Sequence, residues 1–103
     1  MDYQEKFADR LAELRIRKGV SARDMSLSLG QSPGYINNIE NRKNLPSMTV
    51  FFYICDYLNI TPQEFFDFES KDPVQRRELE ACADKLNDAQ REHITAIIKD
   101  LAK

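Results

Sequence analysis

The fold is decided by the stretch Val20-Ser21-Ala22-Arg23-Asp24-Met25-Ser26-Leu27-Ser28-Leu29-Gly30-Gln31-Ser32-Pro33-Gly34-Tyr35-Ile36-Asn37-Asn38-Ile39-Glu40-Asn41-Arg42-Lys43-Asn44. Two short helices are written into it. Ser21 followed by Asp24 approximates a capping box, a hydroxyl for an orphan N–H and a carboxylate to reach back. Met25, Leu27 and Leu29 then give about two turns that end at Gly30, a residue suited to a left-handed helix end. Ser32 and Pro33 start the second helix as N-cap and first helical residue, where the missing proline N–H is harmless. Ile36 and Ile39 supply its buried stripe, leaving Tyr35, Asn37 and Asn38 to point elsewhere. Two short helices joined by a tight glycine-containing turn, the second bearing exposed amides, have the layout of a helix-turn-helix.

Outward from this stretch the chain continues as helices. Asp2 to Lys18 repeats Phe7, Leu11 and Leu14 at helical spacing, and Gly19 ends it after Arg17-Lys18, cations suited to a helix C-terminus. Ser47 caps a fourth helix through Leu58, with Phe51, Ile54, Cys55 and Leu58 on one stripe. Val50, Tyr53 and Tyr57 form an adjoining face, either core edge or contact surface. Asn59-Ile60 breaks the helix, and Thr61-Pro62-Gln63-Glu64 caps a short fifth one. Phe65, Phe66 and Phe68 are expected to close the core. After the charged link Glu69-Ser70-Lys71-Asp72, a sixth helix runs from Pro73 to about Leu86 with Val74, Leu79, Cys82 and Leu86 apolar. Asn87-Asp88 caps a seventh, from Ala89 to the end, with Ile94, Ile97, Ile98 and Leu101. A short connection predicts a hairpin. Such a pair cannot bury both stripes alone, so it either docks on the preceding domain or meets a second subunit. The fold class is all-α, with domains at 1–69 and 72–103.

The 103 residues carry a net charge of −2, which does not advertise a polyanion binder. The distribution says more. From Arg10 to Pro46 there are seven basic residues (Arg10, Arg15, Arg17, Lys18, Arg23, Arg42, Lys43) against three acidic ones (Glu13, Asp24, Glu40), a balance of +4. From Ser47 onward the balance is −4. A basic face with an acidic remainder orients a molecule on a polyanion, and two differently charged solvated faces are the bland alternative.

Chemistry beyond binding finds little support. His93 has no cysteine pair near it, so no metal site is expected, and no cofactor is implied. With one histidine, three glycines and no nucleophile elbow, there is no reason to propose an enzyme. The start of the chain has neither a basic n-region nor an apolar h-region, and no apolar run reaches a membrane span. A cytoplasmic location is therefore expected, with Cys55 a buried thiol and Cys82 a half-buried one.

The residues Leu11, Leu14, Arg15, Gly19-Val20-Ser21, Gly30, Ile36, Ile39-Glu40-Asn41, Leu45-Pro46-Ser47 and Leu58-Asn59-Ile60 stand at matching spacings. Through them the chain resembles the Cro/C1-type (XRE) helix-turn-helix family of bacterial and phage regulators, over about Phe7 to Phe68. The resemblance implies a five-helix lambda-repressor-like domain that binds double-stranded DNA as a homodimer, with recognition helix 33–41 in the major groove. It implies a salt bridge between Arg15 and Glu40. Base contacts would fall on Ser32, Pro33, Gly34, Tyr35, Asn37 and Asn38, and phosphate contacts on Ser21, Arg23, Gln31, Asn41, Arg42, Lys43 and Asn44.

Two departures matter. Pro33 and Gly34 stand where long polar side chains often reach base edges, which leaves the Asn37 and Asn38 amides to pair with adenine. Tyr35 has three roles open: a phosphate hydrogen bond, contact with a thymine methyl, or packing against the second helix. The family usually has glycine where Arg42 stands. A positive φ would strain arginine, so Asn41 is expected to take the turn and Arg42 to become a contact. The resulting expectation is a DNA-binding regulator, a repressor by type. The alternative is a protein-interaction module on the same fold, such as an antitoxin-like partner-binding protein, contacting its partner through the C-terminal hairpin.

Overall fold

Seven helices and no strand make up the described residues, 2–103, of the computed structural model. They are α1 (Tyr3–Lys18), α2 (Ala22–Ser28), α3 (Tyr35–Glu40), α4 (Met48–Leu58), α5 (Pro62–Phe66), α6 (Pro73–Asp84) and α7 (Asp88–Leu101). The chain divides into two compact units, Met1–Pro73 and Val74–Lys103. The division falls at the start of α6, where Pro73 is buried.

The starts and stops of the first unit are local chemistry. Asp2, Ser21, Ser47 and Thr61 each accept the N–H three residues on, at 3.0, 3.0, 3.2 and 3.1 Å. At Thr61 the Glu64 carboxylate returns the bond at 2.9 Å, a full capping box. At Ser21 only the hydroxyl half forms; Asp24 makes no return bond among the described residues. Helices α1, α2 and α4 end on left-handed residues Gly19 (φ 82°), Gly30 (φ 72°) and Asn59 (φ 56°). In each, two successive N–H groups turn back onto helix carbonyls, as Gly30 does to Leu27 and Gln31 to Ser26, both at 3.0 Å.

Phe7, Leu11, Leu14, Met25, Ile36, Ile39, Phe51, Ile54, Cys55, Leu58 and Phe65 are buried. The rings of Phe7 and Phe51 lie 4.8 and 5.1 Å from that of Phe65. The expected closure by three phenylalanines is narrower than that: Phe65 fills the core, whereas Phe66 is 51% exposed. The α2 stripe also differs from expectation. Leu27 is 49% exposed and Ser26 is fully buried beside Met25. In a helix the neighbour of Met25 at the core is the adjacent residue turned toward α3, whereas Leu27 lies about 200° around.

Arg10 is 2% exposed, so it adds no surface charge to the basic stretch. Its guanidinium donates to the Glu64, Phe65 and Ser70 carbonyls at 2.7, 2.7 and 2.6 Å and to Glu13 at 3.0 Å. It therefore gathers carbonyls of α5 and of the segment after it, and ties both to α1.

In the second unit, α6 stops at Asp84, two residues short of expectation, and residues 85–87 connect it to α7. Asn87 and Gln90 form a capping box at 2.8 and 3.0 Å. Arg91 reaches back to the Leu86 carbonyl and pairs with Asp88 at 2.6 Å. Ile97, Ile98 and Leu101 stay exposed, and so does Cys82, which the sequence suggested would be half-buried.

Candidate nucleic-acid interface

The interface is assembled around α3, whose two faces are set by different forces. Ile36 and Ile39 are at most 1% exposed and hold one face in the core. Asn37, Asn38 and Asn41 lie on the other, exposed, and their amides have no partner among the described residues.

The start of α3 comes two residues later than expected. Ser32 and Pro33 are not cap and first helical residue. The Tyr35 N–H bonds the Ser32 carbonyl at 3.0 Å, making a turn, and the first helical bond runs from Asn38 N–H to Gly34 at 2.9 Å. Gly34, at the N-cap, has no side chain to give. The missing acceptor comes from α2 instead: the buried Ser26 hydroxyl accepts the Ile36 N–H at 2.9 Å and donates to Ala22 at 2.7 Å. Ser26 is thus a cap supplied from the neighbouring helix. Its signal was a serine beside Met25 on the buried side of α2.

The other end is fixed by Arg15. Its guanidinium grips both Glu40 oxygens, at 2.8 and 2.9 Å, and donates to the Val20 carbonyl at 2.9 Å. One side chain thus joins α1, the approach to α2 and the last residue of α3. The Glu40 hydrogen bond raises the Arg15 pKa beyond its already high ordinary value, with desolvation opposing it.

Beyond Glu40 the turn differs from expectation. Asn41 keeps φ −89° and Arg42 itself adopts the left-handed conformation, φ 62°. Arg42 N–H bonds Ile39 at 3.0 Å and Lys43 N–H bonds Asn38 at 2.9 Å, the same helix stop that glycine makes in α1 and α2. Asn41 cannot take the turn because it still continues the helical bonding, donating to Asn37 at 2.9 Å. The Arg42 guanidinium lies back on α1, 3.2 Å from Glu5 and 3.3 Å from Asp9, and Gln4 donates to its carbonyl at 3.2 Å.

The remaining candidates surround this helix. Ser32, Pro33 and Gly34 are exposed in the turn before α3, and Gln31 is half-buried there. Tyr35 is half-buried, and burial raises its pKa, so its phenol is a protonated donor at neutral pH. Ser21 spends its oxygen on the Asp24 N–H and keeps its hydroxyl proton free to donate. Arg23, Lys43 and Asn44 are exposed with no side-chain partner among the described residues. The basic surplus is therefore thinner than the formal count. Arg10 is buried, Arg15 and Arg42 are paired, and Lys18 donates to the Tyr57 carbonyl at 2.6 Å with its ammonium over that ring. Arg17, Arg23 and Lys43 remain.

Two short helices joined through the Gly30 turn and tied by Ser26 to the Ile36 N–H, with amides outward and apolar residues inward, define a helix-turn-helix nucleic-acid reader. A family model described as helix-turn-helix matches residues 11–65, more than half of the chain and the span from α1 to α5. The chain belongs to this family, the Cro/C1-type (XRE) helix-turn-helix proteins, and is a DNA-binding regulator of that kind. Comparison with curated proteins and with solved structures gives no match. Among the described residues no helix is long and apolar enough to cross a membrane, and no cluster of metal-ligating side chains is present.

Proposed function

We propose that the protein is a sequence-specific transcriptional regulator of bacterial or phage type, a repressor that acts by occupying its operator as a homodimer. Each copy inserts α3 into a major groove, with half-sites about 34 Å apart or a multiple of that. The observation that carries this reading is the pair of unpartnered amides, Asn37 and Asn38, on a helix whose opposite face and both ends are fixed. An asparagine amide pairs with adenine N6 and N7, and a good bidentate contact discriminates by ~1–3 kcal/mol. Tyr35, Ser32, Pro33 and Gly34 border the same groove-facing surface. Ser21, Arg23, Gln31, Asn41, Lys43 and Asn44 serve phosphates, which position the protein without reading sequence. With few base contacts, part of the specificity comes from DNA shape.

A second reading, a protein-interaction module that neutralises a partner, is favoured by two observations. Pro33 and Gly34 bring no polar side chain to the groove, and the isoleucines of α7 are exposed. Selection of bound fragments from a random duplex library at physiological salt separates the readings. An enriched inverted repeat is the result expected of a dimeric regulator. No enrichment with folded protein would shift the function to the partner-binding module. Within the regulator reading, Asn38→Ala should relax preference at one or two base pairs. Lys43→Ala should weaken all sequences alike and lower the salt slope by about one unit. Equal loss from both variants on every sequence would rule out base readout by Asn38.

A further inference from the structure

The chain places an arginine where the backbone disfavours it. A left-handed φ costs a non-glycine residue about 1 kcal/mol or more, and such outliers persist where the side chain is needed. The Arg42 side chain meets two carboxylates, Glu5 and Asp9, on the exposed face of α1. All three groups are about half or more exposed, at 48, 52 and 67%. Exposed pairs of this kind are worth little and exchange readily, so they are poor anchors for a recognition helix. That task is already done by the bidentate, mostly buried Arg15–Glu40 pair. What the carboxylates do offer is the same chemistry as a phosphate: oxygen acceptors that satisfy a guanidinium.

We propose that Glu5 and Asp9 set the affinity for DNA through Arg42. They occupy its guanidinium in the free protein and yield it to a backbone phosphate on the complex. This rests on the DNA-binding reading and deepens it: Arg42 is a phosphate contact held in reserve, and Glu5 and Asp9 are positioning residues that act through it. The carboxylates must give up their partner and then face the polyanion unpaired, so they lower affinity by both effects. The arginine-dependent effect is the one proposed here.

The test is a double-mutant comparison on the full chain. Binding to a labelled mixed-sequence duplex is followed by anisotropy between ~50 and ~200 mM salt, because phosphate contacts act on any sequence and register in the salt slope. The combined Glu5→Gln and Asp9→Asn variant should bind about fivefold tighter, the fold-change of two exposed pairs, whereas Arg42→Gln alone should lower the log-log slope by about 0.9, the loss of one phosphate contact. The same pair of substitutions in an Arg42→Gln background should give a clearly smaller gain, and an Arg42→Gln slope equal to that of the wild type would overturn the phosphate contact. Arg42→Gln keeps an unbranched polar side chain under the same backbone strain, so the comparison removes the guanidinium without changing the turn. Equal tightening in both backgrounds would overturn the role of Arg42 and leave DNA binding intact. Weaker binding by the carboxamide variant would mean that the clasp positions rather than withholds, and would overturn it too. A folded wild-type protein with no affinity for the duplex at low salt would remove the DNA reading itself, and this inference with it.

Discussion

At the residue scale, the informative side chains are polar ones in places where periodicity predicts apolar ones. Ser26 stands in the core of α2 and supplies the only side-chain acceptor at the start of α3 among the described residues. Ser26→Ala leaves a buried Ile36 N–H without a partner, which should cost about 1–2 kcal/mol in urea unfolding. An unchanged midpoint would mean that α3 does not depend on α2 for its cap. Cys55 is buried on the core face of α4, and burial, with the nearby Asp56 carboxylate adding to it, pushes the thiol pKa up from 9.0 to about 11. The folded state therefore holds its proton more tightly than the unfolded one, a stabilising difference fully present below pH 9.0 and lost as pH rises toward about 11. In unfolding titrations the wild type should lose stability across that window faster than Cys55→Ala does. Parallel curves would remove the linkage. Cys82, exposed, should react with a thiol reagent long before Cys55.

At the element scale, the helix ends explain why much of the first unit was legible from sequence. Capping serines, Thr61-Pro62 and the glycines at 19 and 30 act through bonds to residues three to five positions away, so the signal and its effect lie together. The end of α3 departs from expectation for the same reason. Sequence alone gave Arg42 a steric cost and Asn41 a tolerance for positive φ, and the cheaper residue looked like the turn. Helical bonding from Asn41 to Asn37, and the Lys43 N–H that turns back to Asn38, put the left-handed position at 42 whatever side chain stands there. The start of α3 lies later than the N-cap signal of Ser32-Pro33 predicts, because the Tyr35–Ser32 turn uses those residues differently. The strain at Arg42 is measurable by comparing Arg42→Gly with Arg42→Ala, since both lose the guanidinium. The glycine variant should be the more stable by about 1 kcal/mol, the left-handed cost of a Cβ less the extra chain entropy of glycine. Equal stability would mean that position 42 does not hold its positive φ in solution.

At the scale of the whole molecule, the two units differ in what their sequences could reveal. In the first, apolar stripes on five helices converge on one core, and resemblance and geometry agree. Its long-range polar ties, Arg10 to α5 and Arg42 to α1, were invisible as pairings because each depends on which helices become neighbours. The second unit carries helix signals as clear as those of the first, yet none of residues 74–103 is buried. A segment of this size without a core is not expected to hold its order unaided. The homodimer reading gives α7 its cover: Ile94, Ile97, Ile98 and Leu101 follow helical spacing and are 41 to 81% exposed. Burying an isoleucine contributes about 1.5–3 kcal/mol, and a two-fold interface counts each substitution twice. Ile97→Asp should therefore raise the dimer dissociation constant by at least about 100-fold. Sedimentation at tens of micromolar would then show a dimer for the wild type and a monomer for the variant, with the circular dichroism of α1–α5 retained. The same variant should lose the preference for a paired site while single half-sites bind as before. A wild-type chain that is monomeric throughout that range would end the homodimer reading. The apolar row of α7 would then require a different protein, the circumstance under which the partner-neutralising function becomes the better account.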